Sequence, residues 1–365
     1  MSLLSRVAER IYWSARYLER AETTSRLARV YGNLLLDLPR QAGLKWDLLI
    51  RITGCAERYR DLHPSPGADT AERFFVADRN NASSVRSSLA HARESIRTTR
   101  DIVPSEAWRS INELCMHVNQ ELDAETSHRR RYGIHSTVVE GCQQISGLLA
   151  DTMSHDSGYQ FFRIGRGMER ADMTTRIIDV AAATLLGRDD LARFDNTLWM
   201  AVLQSLSAYQ MYRQKIRRRI FGPDVIGYLL KDEQFPRAIS FSLRELGGAL
   251  ALLPRNAGPH KKLGDLRRML ATLDVGRLDI PALHQWIDDV QLAFGELHRL
   301  IHHTWFEPST SAAGPSPVVA PAQDQGSAQR QGQTPGSTPG STVGSTVGST
   351  LASDPGVRPQ IGAKV

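Results

Sequence analysis

Residues 11–26, IYWSARYLERAETTSR, and residues 161–176, FFRIGRGMERADMTTR, align without a gap across a separation of 150 positions. Arg16, Glu19, Arg20, Ala21, Thr24 and Arg26 recur as Arg166, Glu169, Arg170, Ala171, Thr174 and Arg176. Tyr12/Phe162, Leu18/Met168 and Glu22/Asp172 are chemically similar pairs at the same offset. The correspondence continues with small slips. Trp46, Tyr59 and Arg60 meet Trp199, Tyr212 and Arg213 at an offset of 153, and Val85, Ser88 and Leu89 meet Ile239, Ser242 and Leu243 at 154. A period of this length implies duplication of a whole helical unit, not a short solenoid repeat. Charged residues recur in both copies, so the search for function starts with them.

Outward from these segments, residues 1–306 contain no apolar/polar alternation, and Gly and Pro fall between stretches of helical periodicity. The pattern predicts an all-α fold, a multi-helix bundle of two tandem, similar halves at 1–152 and 153–306. Loops are expected at 38–43, 63–69, 103–105, 132–134, 187–190, 222–224 and 254–262. A disordered low-complexity tail is expected over 307–365, where runs such as GSTPGST and VGSTVGST offer too little apolar surface to offset ordering entropy.

The chain has 365 residues, of which 41% are hydrophobic, enough for a sizeable core. No stretch has the length and apolarity of a membrane span. The N-terminal stretch MSLLSRVAERIYW interleaves charge with apolar residues, unlike a signal peptide. Cys55, Cys115 and Cys142 form no CxxC and read as apolar fillers in a reducing compartment. A cytoplasmic location is therefore expected. The net charge of +6 lies wholly within 1–306 and is carried almost entirely by Arg, which favours bidentate pairing with carboxylate or phosphate. Acids are interleaved throughout, so nucleic acid ranks low as a partner. Lys215 and Arg217–Arg219 read as a solvated helix end.

Placed at about 100° per residue, Arg16, Glu19, Arg20 and Arg26 share an arc of roughly 120°, yet apolar residues occupy every side of the same helix. Such a helix belongs at the centre of its bundle, with its charges buried and paired. The next helix carries Trp46, Leu49 and Ile50 on one stripe that Arg60 continues, and Trp199, Val202 and Leu203 lead likewise to Arg213. An Arg on an apolar stripe needs a carboxylate opposite. Glu19 is therefore matched with Arg60, and Glu169 with Arg213. A third helix, after the capping sequence NNASS, carries Arg93 and Arg97 on the flank of its apolar stripe. Its counterpart follows QFPRA, which contains Arg237.

The Arg–Glu cluster has two readings, a set of structural ion pairs or a site. In the site reading Arg16, Arg20 and Arg60, with Arg166, Arg170 and Arg213 in the second copy, hold an anionic group, and Arg93, Arg97 and Arg237 are further candidate ligand-binding residues. Glu19 and Glu169 then act as base or electrostatic partner. Two other patterns are set aside. Glu113, His117, Glu121 and Glu125 lie opposite the stripe of Ile111, Cys115 and Val118 and read as a solvated face, while His298, His302 and His303, an HxxxH pair without the Glu of HExxH, suit a helix C-terminus. No metal or cofactor is expected, because no phosphate loop, nucleophile elbow or zinc signature is present.

The opening LSRVAERIYWSARYLERAETTSRLARV resembles the start of the bacterial alpha-E family. The resemblance runs from residue 1 to about 306 through NNASSVRSSLAHARESIRTTRDIV from Asn80, FFRIGRGMERADMTTRIID from Phe161 and YLLKDEQFPRAISFSL from Tyr228. The chain departs from the family pattern at Ala82, at Ser95–Ile96 and at Ala238. The resemblance implies neighbours or fusion partners of two kinds, circularly permuted ATP-grasp ligases and transglutaminase-like proteins. The leading expectation is a helical partner of such a peptide or amide ligase, offering an Arg/Glu-lined groove to an anionic peptide or carboxylate. The alternative is an accessory enzyme using Glu19 and Glu169. A nucleic-acid-binding bundle ranks third.

Overall fold

The computed structural model describes residues 4–39, 46–63, 67–124, 128–185, 193–277 and 279–307. The expected tail beyond Glu307 and the loop at 187–190 lie outside these residues, as does most of the loop at 38–43. Fourteen α-helices, and no strand, occur among the described residues: α1 (Ser5–Asp37), α2 (Asp47–Ile52), α3 (Ala56–Leu62), α4 (Ala68–Val76), α5 (Val85–Arg97), α6 (Ser105–Asp123) and α7 (His128–Thr152), followed by α8 (Ser157–Leu185), α9 (Asp195–Ser205), α10 (Tyr209–Lys215), α11 (Gly222–Lys231), α12 (Ile239–Ala251), α13 (Ala257–Thr272) and α14 (Ile280–Ile301). A π-helical turn, His302–Phe306, closes α14. Among the described residues no helix is long and apolar enough to cross a membrane.

Helix α1 is the axis of the bundle and packs against α5, α7, α8 and α9. Every residue from Ala21 to Ala28 is buried, so this stretch meets protein on all sides, as its all-round apolarity requires. It ends where Pro39 forces Leu38 into extended backbone. Helix α8 lies against α1 at very close range. A β-carbon on Gly165 would stand 2.2 Å from the Tyr12 carbonyl oxygen and 3.1 Å from Ala15 Cβ. Only glycine allows two backbones to approach so nearly.

Capping follows the sequence at α5, where Ser84 Oγ accepts from the Ser87 amide at 3.1 Å. Asn81 supports it by accepting from Ser83 N and donating to the Phe74 carbonyl. The side chains of Asn81 and Ser84 are thus engaged in ordering their own turn. At α14 Asp279 accepts from Ala282 N at 2.8 Å.

Three expected loops are wholly or mainly helical instead, and one of them, 254–262, belongs from residue 257 onward to the first turns of α13. Residues 132–134 lie inside α7, where one interior glycine, Gly133, costs only about 1 kcal/mol and packing overrides it. Residues 222–224 form the first turn of α11, where Pro223 loses no hydrogen bond because first-turn amides have none. Gly222 packs against Trp199, and a β-carbon there would meet its ring at 2.7 Å.

A further correction concerns the helix thought to run from Trp46 to Arg60. It breaks at Gly54, whose φ of 69° ends α2 and re-aims the chain into α3. Ser207, 153 residues later, breaks α9 from α10 with a φ of 53°. The breaks rotate Tyr59 and Tyr212 into the core, and Arg60 and Arg213 into solvent.

Candidate functional site

The close packing of α1 on α8 brings the two copies of RxxER face to face. Arg16 and Arg20, one helical turn apart on α1, both reach Glu169 on α8. Arg16 Nε donates to Oε2 at 2.7 Å and Arg20 Nε to Oε1 at 2.5 Å. The exchange is reciprocal. Arg166 Nε donates to Glu19 Oε2 at 3.2 Å, and Arg170 donates to Glu19 through Nε and Nη2 at 3.0 and 2.8 Å. The i, i+4 spacing puts both arginines on one face of their helix, where they grip a single carboxylate of the other helix.

The sequence expectation that Glu19 meets Arg60, and Glu169 meets Arg213, is therefore overturned. Arg60 is exposed and caps its own turn at the Ala56 carbonyl, while Arg213 bonds the Arg218 carbonyl. The sequence reading assumed one unbroken helix in each copy, and the Gly54 and Ser207 breaks remove that premise.

The Glu19 side of the cluster is the more elaborate. Arg237, which precedes α12, inserts between two carboxylates. Its Nη1 donates to Glu19 Oε1 at 2.7 Å and its Nη2 to Glu22 Oε1 at 2.6 Å. Glu22 also accepts from Arg26 Nη2 at 2.6 Å and from Gln143 of α7 at 3.2 Å. Arg26 is 1% exposed, and its Nε and Nη1 meet no acceptor among the described residues. In the second copy Arg176 donates to Asp172 at 3.1 Å in half-buried surroundings. Arg93 and Arg97 lie apart from the cluster. Arg93 donates to Asn112 and lies over Trp108, and Arg97 pairs at the surface with Glu94.

Burial and charge act against one another here. Glu19 is 2% exposed and Glu169 buried almost completely, at 1% in its ion pairs. Burial alone would raise a carboxyl's proton affinity, but the arginines outweigh it. Arg20 and Arg16 hold Glu169 down at about 2, and Arg170, Arg237 and Arg166 hold Glu19 well below the usual carboxylate range. Arg237 is pulled down to about 10, first by burial and then by the neighbouring Arg170 and Arg26 acting against Glu19 and Glu22. Both glutamates are fixed anions with their oxygens occupied by guanidinium donors.

Sequence reasoning did not place Glu22 or Arg26 at the site. Their i, i+4 spacing and their recurrence as Asp172 and Arg176 were the available signals. It also missed Tyr12 with His298. The Tyr12 hydroxyl lies 2.8 Å from His298 Nδ1 and accepts from Arg16 Nη1 at 3.3 Å. Burial, then the nearby Arg16 charge, pushes His298 down to about 4, so at neutral pH the ring is uncharged, and its tautomer sets which partner donates in the contact with Tyr12. A contact spanning 286 residues leaves no local signature. In the acidic ladder Glu113 and His117 are exposed and Glu121 is half-buried; Glu125 lies outside the described residues.

The dipeptide Glu-Arg occurs five times, at residues 9, 19, 57, 72 and 169. Those at Glu19-Arg20 and Glu169-Arg170 place both members in the cluster. The family description that matches residues 3–306 is Alpha-E, "a predicted alpha-helical domain with a conserved ER motif". This chain belongs to the Alpha-E family. Similar sequences include an uncharacterised protein of Mycobacterium bovis and two of Mycobacterium tuberculosis strains, each 21% identical over 271 residues. Each alignment covers 69% of this Alpha-E chain but 30% of the relative. The aligned region is thus one segment of those longer proteins. No solved structure matches this chain.

Proposed function

We propose that this Alpha-E chain is a helical partner of an ATP-grasp-type peptide or amide ligase, with a transglutaminase-like protein as a further neighbour, and that its Arg–Glu cluster is an internal clamp. The supporting observation is the sealing of Glu19 and Glu169. A general base needs a free lone pair within reach of substrate and a proton affinity near the working pH. Both carboxylates are instead buried, engaged by two or three arginines each, and held well below the range a base requires. The clamp joins the segments that recur, which supports reading residues 1–152 and 153–306 as two halves of a duplicated unit meeting along α1 and α8. Relatives that carry the same region inside a longer chain suit a module that works beside another activity.

The test mixes the full chain with a circularly permuted ATP-grasp ligase of the same organism. Complex formation is followed by analytical ultracentrifugation, and ligase turnover by ADP release. The expected result is a defined complex with altered turnover, retained by any folded Glu19→Gln or Glu169→Gln variant. Absence of both a complex and a turnover change refutes the partner reading. Loss of turnover in a well-folded Glu19→Gln variant supports the accessory-enzyme alternative instead.

A further inference from the structure

The core cluster spends its arginines on carboxylates of the chain itself. A second group of three cations includes two, Lys231 and Arg267, that make no such pair among the described residues. Between α11, α12 and α13 lies an open cleft of about 480 Å³, a volume in the range of small-ligand sites. Lys231, Arg244 and Arg267 line it, with Glu233 as the one acid among its lining residues. Leu243 and Leu270 supply an apolar floor and Ser240 a hydroxyl.

What marks these cations is how they are held. Each is tethered to a backbone carbonyl. Arg267 Nη2 donates to the Leu243 carbonyl at 3.0 Å and Arg244 Nη1 to the Glu233 carbonyl at 2.7 Å, while Lys231 Nζ donates to the Leu273 carbonyl. Arg244 also lies over the Phe241 ring, 4.6 Å from its centroid, with the Glu245 carboxylate 3.7 Å away. Among the described residues neither Lys231 nor Arg267 has a carboxylate within ion-pair distance. A guanidinium has five N–H donors and an ammonium three, so single tethers fix these groups while leaving most donors uncommitted. Gly247 completes the arrangement. A β-carbon there would stand 2.3 Å from Arg267 Nη2, so the missing side chain is the space the guanidinium occupies.

From this geometry we infer that the α11–α13 cleft is a binding site for an anionic ligand, a carboxylate or phosphate group on an apolar stem. The lining carries two more positive charges than negative ones, and the Arg fork matches either oxyanion bidentately. The apolar floor favours a ligand with a hydrophobic neighbour to its charge over a fully hydrated ion. The inference does not depend on the ligase reading, and either can fail alone.

Calorimetric titration of the full chain at low salt tests it, with three probes used separately: inorganic phosphate, an N-acetylated dipeptide ending in Leu with a free carboxylate, and the same dipeptide as its amide. Saturable binding of phosphate or of the free-acid dipeptide, with none of the amide, is the expected result. Which of the two binds identifies the source of the oxyanion. Arg267→Met should weaken binding about tenfold or more, the usual scale for one charge-assisted hydrogen bond. Lys231→Met with Arg267→Met should abolish it. Gly247→Ala, which keeps every charge but displaces the guanidinium, should weaken it as well. The Lys231 and Arg267 changes fall on exposed side chains, whereas Gly247 is buried in α12, and circular dichroism checks the folding of every variant. Binding of neither anion at about 10 mM, weaker than the affinity expected of even a millimolar site, overturns the proposal. So does binding that the Arg267 and Lys231 changes leave intact.

Discussion

Replacing Glu19 by Gln removes one negative charge from between three arginines and changes almost nothing in volume. Glu19 accepts four hydrogen bonds of 2.7–3.2 Å, from Arg166, Arg170 and Arg237. Each bond to a charged group is worth about 1.5–3 kcal/mol, but bonds that share an acceptor do not add. The dominant loss is electrostatic, because Arg170 and Arg237 are left at 13% and 9% side-chain exposure with Glu22 as the nearest remaining carboxylate on that side. Arg166, at 33%, recovers part of its hydration. Breaking a buried pair from one side costs about 3–5 kcal/mol. At an unfolding entropy of about 2.1 cal/mol/K per residue over some 300 residues, this lowers Tm by about 5–8 °C. Thermal melts followed by circular dichroism at neutral pH measure it. A double-mutant cycle with Arg237 should give a coupling of at least about 1.5 kcal/mol, and the same cycle with Arg60 a coupling near zero. A Tm within about 2 °C of the parent, or a larger coupling to Arg60 than to Arg237, refutes the clamp.

The same clamp predicts acid sensitivity of known sign. Glu169 is depressed in the folded chain from 4.5 to about 2, so its contribution is present above 4.5 and is lost as pH falls towards 2. It amounts to about 3 kcal/mol at most. The Tm gap between the parent and Glu169→Gln should therefore narrow over that window, and a gap independent of pH speaks against the assignment. Gly165→Ala should lower stability by about 1–3 kcal/mol despite alanine's better helix propensity, because the clash is with Tyr12 backbone; an unchanged or raised Tm would show that α1 and α8 are not so close. Arg60→Ala and Arg213→Ala should each leave urea-denaturation stability within about 0.5 kcal/mol, as exposed residues do, and a larger loss would restore them to the cluster.

The repeated RxxER segments, the all-α composition and the central, charge-bearing first helix were legible in the sequence. Helical periodicity and all-round apolarity are local properties that a chain displays before it folds. The prediction that Glu19 and Glu169 are buried and paired with arginine rests on the same footing, since a charge on a helix without a solvent face must find a counter-charge. Which arginine each carboxylate meets was not local. It depends on how α8 lies across α1, on the gap that Gly165 leaves, and on breaks at Gly54 and Ser207 that turn Arg60 and Arg213 outward. A single residue with positive φ redirects every side chain beyond it, so stripes drawn through such a residue on a helical wheel point the wrong way. Arg237 reaches Glu19 across 218 positions, and Tyr12 reaches His298 across 286; only the tertiary structure brings them together, because no sequence period encodes a contact between helices so far apart in the chain.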